Sequence, residues 1–140
     1  MPPRPAAPRR PDRPDVESAD ALSGPALRTF FRIADAWRLS PGEQMTLLGG
    51  PPRSTFYKWR EGGVVRLPRD VLERISYVLG IYKALQILFA EPARADAWIR
   101  HPNDAPPFGG RTALDRMLSG NVADLYIVRQ YLDAQRGGWP

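Results

Sequence analysis

The sequence predicts an all-α protein with a helix-turn-helix-like N-terminal module, a long central helix and a small helical C-terminal module. Three observations predict it. Apolar residues recur at the helical spacing in almost every segment after residue 20, alternating period-two runs are absent, and serine, threonine, proline and glycine fall where helices start and stop.

The chain has 140 residues, enough for one domain or two very small ones. Its opening run, MPPRPAAPRRPDRPD, is almost all Pro, Arg, Ala and Asp and cannot bury enough apolar area to offset its ordering entropy. Residues 1–20 are therefore read as a disordered arm. The arm lacks the apolar stretch of a secretory signal, and no run reaches the ~18 apolar residues of a membrane span. There is no cysteine, which removes disulfides and thiolate metal sites and fits a reducing cytoplasm.

The first helix is predicted over about Pro25–Arg38, with Leu27, Phe30, Phe31, Ala34 and Trp37 on one face. A second starts at an N-cap serine, Ser40, followed by Pro41 at the first helical position and Glu43 three residues after the cap. It ends at Gly49 and Gly50. The prolines Pro51 and Pro52 then open a short third helix, RSTFYKWRE, which ends at Gly62 and Gly63.

A fourth helix runs from near Pro68 to about Phe89. Val71, Ile75, Val78, Tyr82, Leu85 and Phe89 form one stripe, which Leu72, Leu79, Ile81 and Leu88 widen to most of the circumference. A helix that apolar is buried on several sides. It suits both a core and a dimer interface, for which Ile75, Val78, Leu79, Tyr82 and Leu85 are the candidates. Beyond Pro92 come a short helix with Trp98 and Ile99, the stiff loop HPNDAPPFGG, and two capped helices. Thr112 with Asp115 starts the first, and Asn121 with Asp124 starts the second, which stops at Gly137. The expected divisions are the arm at 1–20, a helix-turn-helix module at 21–66, a central or dimerisation helix at 67–90 and a C-terminal module at 91–140.

The net charge is +5, and eighteen of the twenty basic residues are arginine, Lys58 and Lys83 being the lysines. Arginine-rich chains commonly meet phosphate or carboxylate, because the guanidinium fork binds both bidentately. A genome rich in arginine codons explains the preference for arginine equally well, though not the net charge.

The segment Ser40–Glu61 has the size of a helix-turn-helix, whose second helix enters the major groove. In that helix Phe56 and Trp59 face inward. Arg53, Ser54, Thr55, Tyr57, Lys58 and Arg60 are the candidate DNA-binding residues. Arg53 suits guanine, and Ser54, Thr55 and Tyr57 suit phosphates near the first-turn N–H groups. A helical hairpin with a solvated basic face is the plain alternative.

Catalysis has little support. His101 is the one histidine, with no nucleophile placed beside it. Scattered carboxylates do not supply a metal site. The glycine pairs sit at helix ends, with no strand before them to build a phosphate cradle. The chain is expected to be no enzyme and to carry no cofactor or metal.

In the C-terminal third, Trp98, Leu114 and Met117 suit a small core over the central helix, whereas Phe108 looks exposed. The segment WIRHPNDAPPFGGRTALDRMLSGNVADLYIVRQYLDAQRGGW resembles the C-terminal toxin-binding domain of the Xre/MbcA/ParS-type antitoxins. The residues that carry the likeness are Trp98, Pro102, Asn103, Phe108, Gly109, Ala113, Leu114 and Met117–Leu118 before Gly120. Upstream, WRLSPGEQMTLLGGPPRSTFYKWREG is similar to the family's Xre-like helix-turn-helix. Ala113 stands where proline is common, and the doubled proline before Arg53 departs from a tight turn.

The resemblance implies an antitoxin of a type II toxin–antitoxin system, acting in the cytoplasm. Its partner would be a RES-domain toxin that degrades NAD or transfers ADP-ribose. It also implies operator DNA as a second partner, autorepression, and a homodimer within a toxin–antitoxin hetero-oligomer. Asn103, Phe108, Arg111, Asp115, Arg129, Arg136, Gly138, Trp139 and Pro140 are the candidate toxin-binding residues. A NAD pocket is cationic and partly apolar, so a blocking peptide should offer an aromatic anchor and an anion. Trp139 and the carboxylate of Pro140 supply them, unless Trp139 packs on its own domain. A helix-turn-helix transcription regulator without a toxin partner is the competing reading.

Overall fold

A computed structural model describes residues 13–63 and 66–137, with side chains from residue 23 onward. The tail residues Gly138, Trp139 and Pro140, and residues 1–12 of the arm, lie outside the described residues. Among the described residues there are seven α-helices and no strand: α1 (Arg13–Ala36), α2 (Pro41–Leu47), α3 (Arg53–Glu61), α4 (Arg69–Leu88), α5 (Pro92–Ala97), α6 (Ala113–Met117) and α7 (Val122–Gly137). A short 3-10 helix, Trp98–Arg100, follows α5.

The first helix begins at Arg13 and not near Pro25, so residues 13–20 of the expected arm are helical. The dense prolines end at Pro14, which falls in the first helical turn, where its missing N–H has no intrahelical partner to lose. Pro25 lies inside α1 and removes one backbone bond. The residues that follow it anchor the helix: Leu27, Phe30, Ile33, Ala34 and Trp37 are all buried. Ser23, also buried, accepts a hydrogen bond at its hydroxyl from the Leu67 amide at 3.1 Å. That bond ties α1 to the approach to α4.

The capped starts form as expected. The Ser40 hydroxyl accepts from the Glu43 amide at 3.1 Å, and the Glu43 carboxylate accepts from the Ser40 amide at 2.8 Å. Thr112 and Asp115 repeat the arrangement at 3.0 and 3.3 Å. At the start of α7, Asp124 does more than pair with Asn121. Its carboxylate accepts from the Ser119 hydroxyl at 2.6 Å and from Arg116 Nε at 2.9 Å.

Helix α4 is the centre of the molecule, packing most extensively on α7 and next on α1. Val71, Ile75, Val78, Ile81, Ala84 and Leu85 are buried along it. Each large aliphatic side chain so buried contributes about 1.5–3 kcal/mol relative to exposure. Of the expected dimer face, Val78 and Leu85 are fully covered by the chain's own helices, whereas Ile75, largely buried, still lines a groove between α1 and α4. Leu79 and Tyr82 are half-buried, and the Tyr82 ring lies 6.2 Å from Trp37.

The end of α1 is closed unusually. Arg38 takes a positive φ of 54°, where glycine is the common residue, and Leu39 N donates back to Ala34 O at 2.9 Å. Arg100, from the 3-10 helix, donates to the Trp37 and Arg38 carbonyls at 2.9 and 3.0 Å. A cation over the last carbonyls of a helix also favours its dipole.

Candidate functional sites

Helices α2 and α3 are joined by Leu48–Pro52, a turn built on two glycines. Gly49 (φ 96°) and Gly50 (φ 75°) let their amides return to Thr46 O at 3.1 Å and Met45 O at 2.9 Å. This is the double bond pattern of a glycine C-cap. A Cβ at Gly49 would also lie 3.0 Å from Arg74 Nε and 3.2 Å from Asp70 Oδ2. The ion pair Asp70–Arg74 of α4, 3.2 Å apart, therefore supports the turn.

Helix α3 sits on α1 through Phe56 and Phe31, whose rings meet edge-on at 5.9 Å; Phe56 and Trp59 are buried, as their spacing predicted. Arg53, Ser54, Lys58 and Arg60 are exposed, and Thr55 and Tyr57 are half-buried. Pro52 supplies no side-chain cap, so the first-turn N–H groups beside Arg53 and Ser54 point away from the helix unsatisfied by a cap. Arg53 lies over the Tyr57 ring, 5.6 Å from its centroid. Arg60, though exposed, reaches back to the neighbouring helices: it lies over Phe31 at 5.9 Å and reaches Gln44 Oε1 at 3.5 Å. Gln44 is buried and donates to Leu39 O at 2.9 Å, so Arg60 helps to hold α3 on α2. The outward basic set is thus Arg53 and Lys58.

The loop between the 3-10 helix and α6 closes on itself. Asn103 N donates to Arg111 O at 3.0 Å, Gly110 N to Asn103 O at 2.8 Å, and Pro102 pairs with Thr112 as an isolated bridge. The Asn103 side chain accepts from the Ala105 amide at 2.8 Å, which turns the chain. Gly109 and Gly110 both have positive φ, 57° and 88°.

Phe108 is not the exposed aromatic that its loop position suggested. It is 5% exposed, edge-on to Trp98 at 5.8 Å and to Tyr131 at 5.1 Å. Trp98 stacks on Tyr131 at 6.2 Å, so Phe108 completes an aromatic core that ties the loop to α7. Spacing along the sequence carried no sign of Tyr131 as the third member.

Beside this core is a cleft of about 230 Å³ bordered by Phe108, Arg111, Asp115, Arg116 and Asp124. It brings together Arg111 and Asp115, both exposed, as residue types alone did not. Arg116 closes one wall, binding Asp124 and the Pro107 carbonyl. The Ser119 hydroxyl, and then Arg116, hold the Asp124 carboxyl below its usual range against the opposing effect of burial.

Arg129 and Arg136 are elsewhere, on α7. Both lie near Asp133, at 3.6 and 3.9 Å, on a partly exposed flank. No described helix is long and apolar enough to cross a membrane.

These features define a class: an all-helical protein with a helix-turn-helix module set against a second module built around an aromatic-cored loop. Residues 18–80 match the antitoxin Xre-like helix-turn-helix domain. Residues 84–138 match the antitoxin Xre/MbcA/ParS C-terminal toxin-binding domain. The chain is also 57% identical over 129 residues to the uncharacterized protein y4oB of Sinorhizobium fredii (strain NBRC 101917 / NGR234), an alignment covering 91% of this chain and 98% of that protein. The chain belongs to the Xre/MbcA/ParS antitoxin family.

Proposed function

We propose that this antitoxin neutralises a RES-domain toxin that uses NAD, either degrading it or transferring its ADP-ribose, and that it does so by binding and not by catalysis. The observation that carries the reading is the pairing in one chain of a helix-turn-helix domain with a toxin-binding domain. The C-terminal module, residues 91–140, contacts the toxin through Arg111 and Asp115 at the cleft beside α6 and through Arg129 and Arg136 on α7. The segment Gly138, Trp139 and Pro140 enters the toxin's active-site cleft, with Trp139 as the aromatic anchor. Tryptophan is among the residues most enriched at binding hot spots. Asn103 and Phe108 act by shaping the loop and not by touching the partner.

The N-terminal module binds operator DNA in the cytoplasm and represses its own operon, with Arg53 and Ser54 at the groove and Lys58 on a phosphate. Two-fold operator symmetry calls for a dimer. A groove of about 300 Å³ between α1 and α4, bordered by Ala26, Thr29, Leu72, Ile75 and Leu79, supports a self-association surface. It keeps Ile75 and Leu79 of the expected dimer face and leaves out the buried Val78 and Leu85.

The test is NAD consumption by the RES-domain protein encoded beside this chain. The full chain should abolish it. A chain lacking residues 136–140 should keep its helical circular dichroism and melting temperature yet leave the toxin active. Full inhibition by the truncated chain overturns the tail's role. The absence of any adjoining RES gene, with operator binding intact, favours a transcription regulator without a toxin.

A further inference from the structure

Two features of the seam between α4 and α7 are explained by neither the helix-turn-helix nor the aromatic-cored loop. The first is Gly80, in the middle of the 20-residue helix α4. Glycine there is destabilising relative to alanine. It has no positive φ to require it. What requires it is space: a Cβ at Gly80 would lie 2.5 Å from Nε, 2.6 Å from Cζ and 2.8 Å from Cδ of Arg129. The second feature is that the most exposed large hydrophobic residues among those described, Ile87 (60%) and Tyr126 (46%), lie one on each of these helices.

The two features belong to one surface. Tyr126 meets Tyr77 edge-on at 5.9 Å, and three residues further along each helix Arg129 crosses Gly80. The helices therefore run side by side in the same direction, a register that sets Ile87 level with Arg136. Lys83 is exposed on the same stretch of α4. Asp133 lies between Arg129 and Arg136, and these three side chains are 46%, 38% and 42% exposed respectively. The seam thus presents three cations and one carboxylate, with apolar residues alongside. Exposed ion pairs such as these are weak, so Asp133 yields readily to a competing carboxylate.

We propose that this seam is a docking surface for an acidic patch on the toxin. Arg129 is its central cation, Tyr126 and Ile87 are its apolar contacts, and Gly80 is the positioning residue that lets the Arg129 guanidinium lie across α4. The inference rests on the toxin-binding reading above and extends its α7 contact across the seam onto α4. Tyrosine and arginine are the residue types that dominate binding hot spots.

The experiment is calorimetric titration of the full chain against the RES-domain toxin encoded beside it, with thermal unfolding of each variant. Arg129→Ala should weaken binding about tenfold or more, at little change in melting temperature. Gly80→Ala should also weaken binding while holding or raising the melting temperature, because alanine favours the helix and the displaced arginine end is flexible. The double variant should bind no more weakly than Arg129→Ala alone. Wild-type binding by Arg129→Ala overturns the surface. Additive losses in the double variant overturn the positioning role of Gly80. A wild-type chain that does not bind this toxin overturns the parent reading and this inference together, whereas tight wild-type binding with unaffected variants overturns this inference alone.

Discussion

One nitrogen of the Arg100 guanidinium donates to both the Trp37 and the Arg38 carbonyls, at 2.9 and 3.0 Å. A residue of the toxin-binding domain thereby caps the first long helix of the helix-turn-helix domain. The same group lies 3.9 Å from Glu43, whose carboxylate closes the capping box of α2. The two modules are thus joined by a polar latch as well as by the packing of α4.

Arg100→Ala should lower stability by about 1–2 kcal/mol, at or below the lower end of the range for hydrogen bonds from a charged donor because this side chain is partly exposed. Arg100→Lys should recover part of that. Urea unfolding of the three proteins checks it, and an unchanged midpoint in Arg100→Ala denies the latch any energetic role.

Phe108→Ala should cost about 3–5 kcal/mol, the range for emptying a buried aromatic site. Phe108→Leu should cost less. Any loss of toxin binding in Phe108→Ala should therefore accompany a lower melting temperature. A variant as stable as the wild type but unable to bind would return Phe108 to the contact surface.

Asp124 gives the fold a defined acid sensitivity. Its carboxyl is held below the ordinary value of 3.8, so in acid the unfolded chain takes up a proton before the folded chain does. The stability that it contributes is complete above that value and is lost as the pH falls through its lower folded value. Asp124→Asn should be less stable near neutral pH and should flatten the decline on acidification. Parallel declines in the two proteins between pH 5 and about pH 2 would mean that other carboxylates carry the acid response.

On α3 the six candidate residues should separate. Arg53→Ala and Lys58→Ala should weaken operator binding and each reduce the slope of log affinity against log salt by up to about 1. Arg60→Ala should act mainly through stability, since Arg60 packs on Phe31 and reaches Gln44. Promoter-fragment titrations at several salt concentrations, paired with melting curves, make the comparison. An unchanged salt slope in both Arg53→Ala and Lys58→Ala removes α3 as the recognition helix.

Much of the helical plan is local and was legible before any coordinates. A cap such as Ser40 with Glu43 involves neighbours in the chain, and an amphipathic stripe such as that on α4 follows from the helical period. The inward pair Phe56 and Trp59 was legible for the same reason. The course of α1 was not, because Pro14 falls in the first helical turn, where a helix tolerates it, and Pro25 is followed by residues that distant packing anchors.

The residue types and their spacing determined the all-helical class, the helix-turn-helix candidate, the caps and the family likeness, since each depends on interactions within a few residues. Only the tertiary structure decided that Phe108 is buried in an aromatic core, and that α4 buries Ile75, Val78 and Leu85 within one chain. It also decided that Arg100 reaches back to α1 and that Arg129 needs Gly80. Those outcomes depend on which segments, far apart in the chain, fill the same space, and local periodicity carries no record of that.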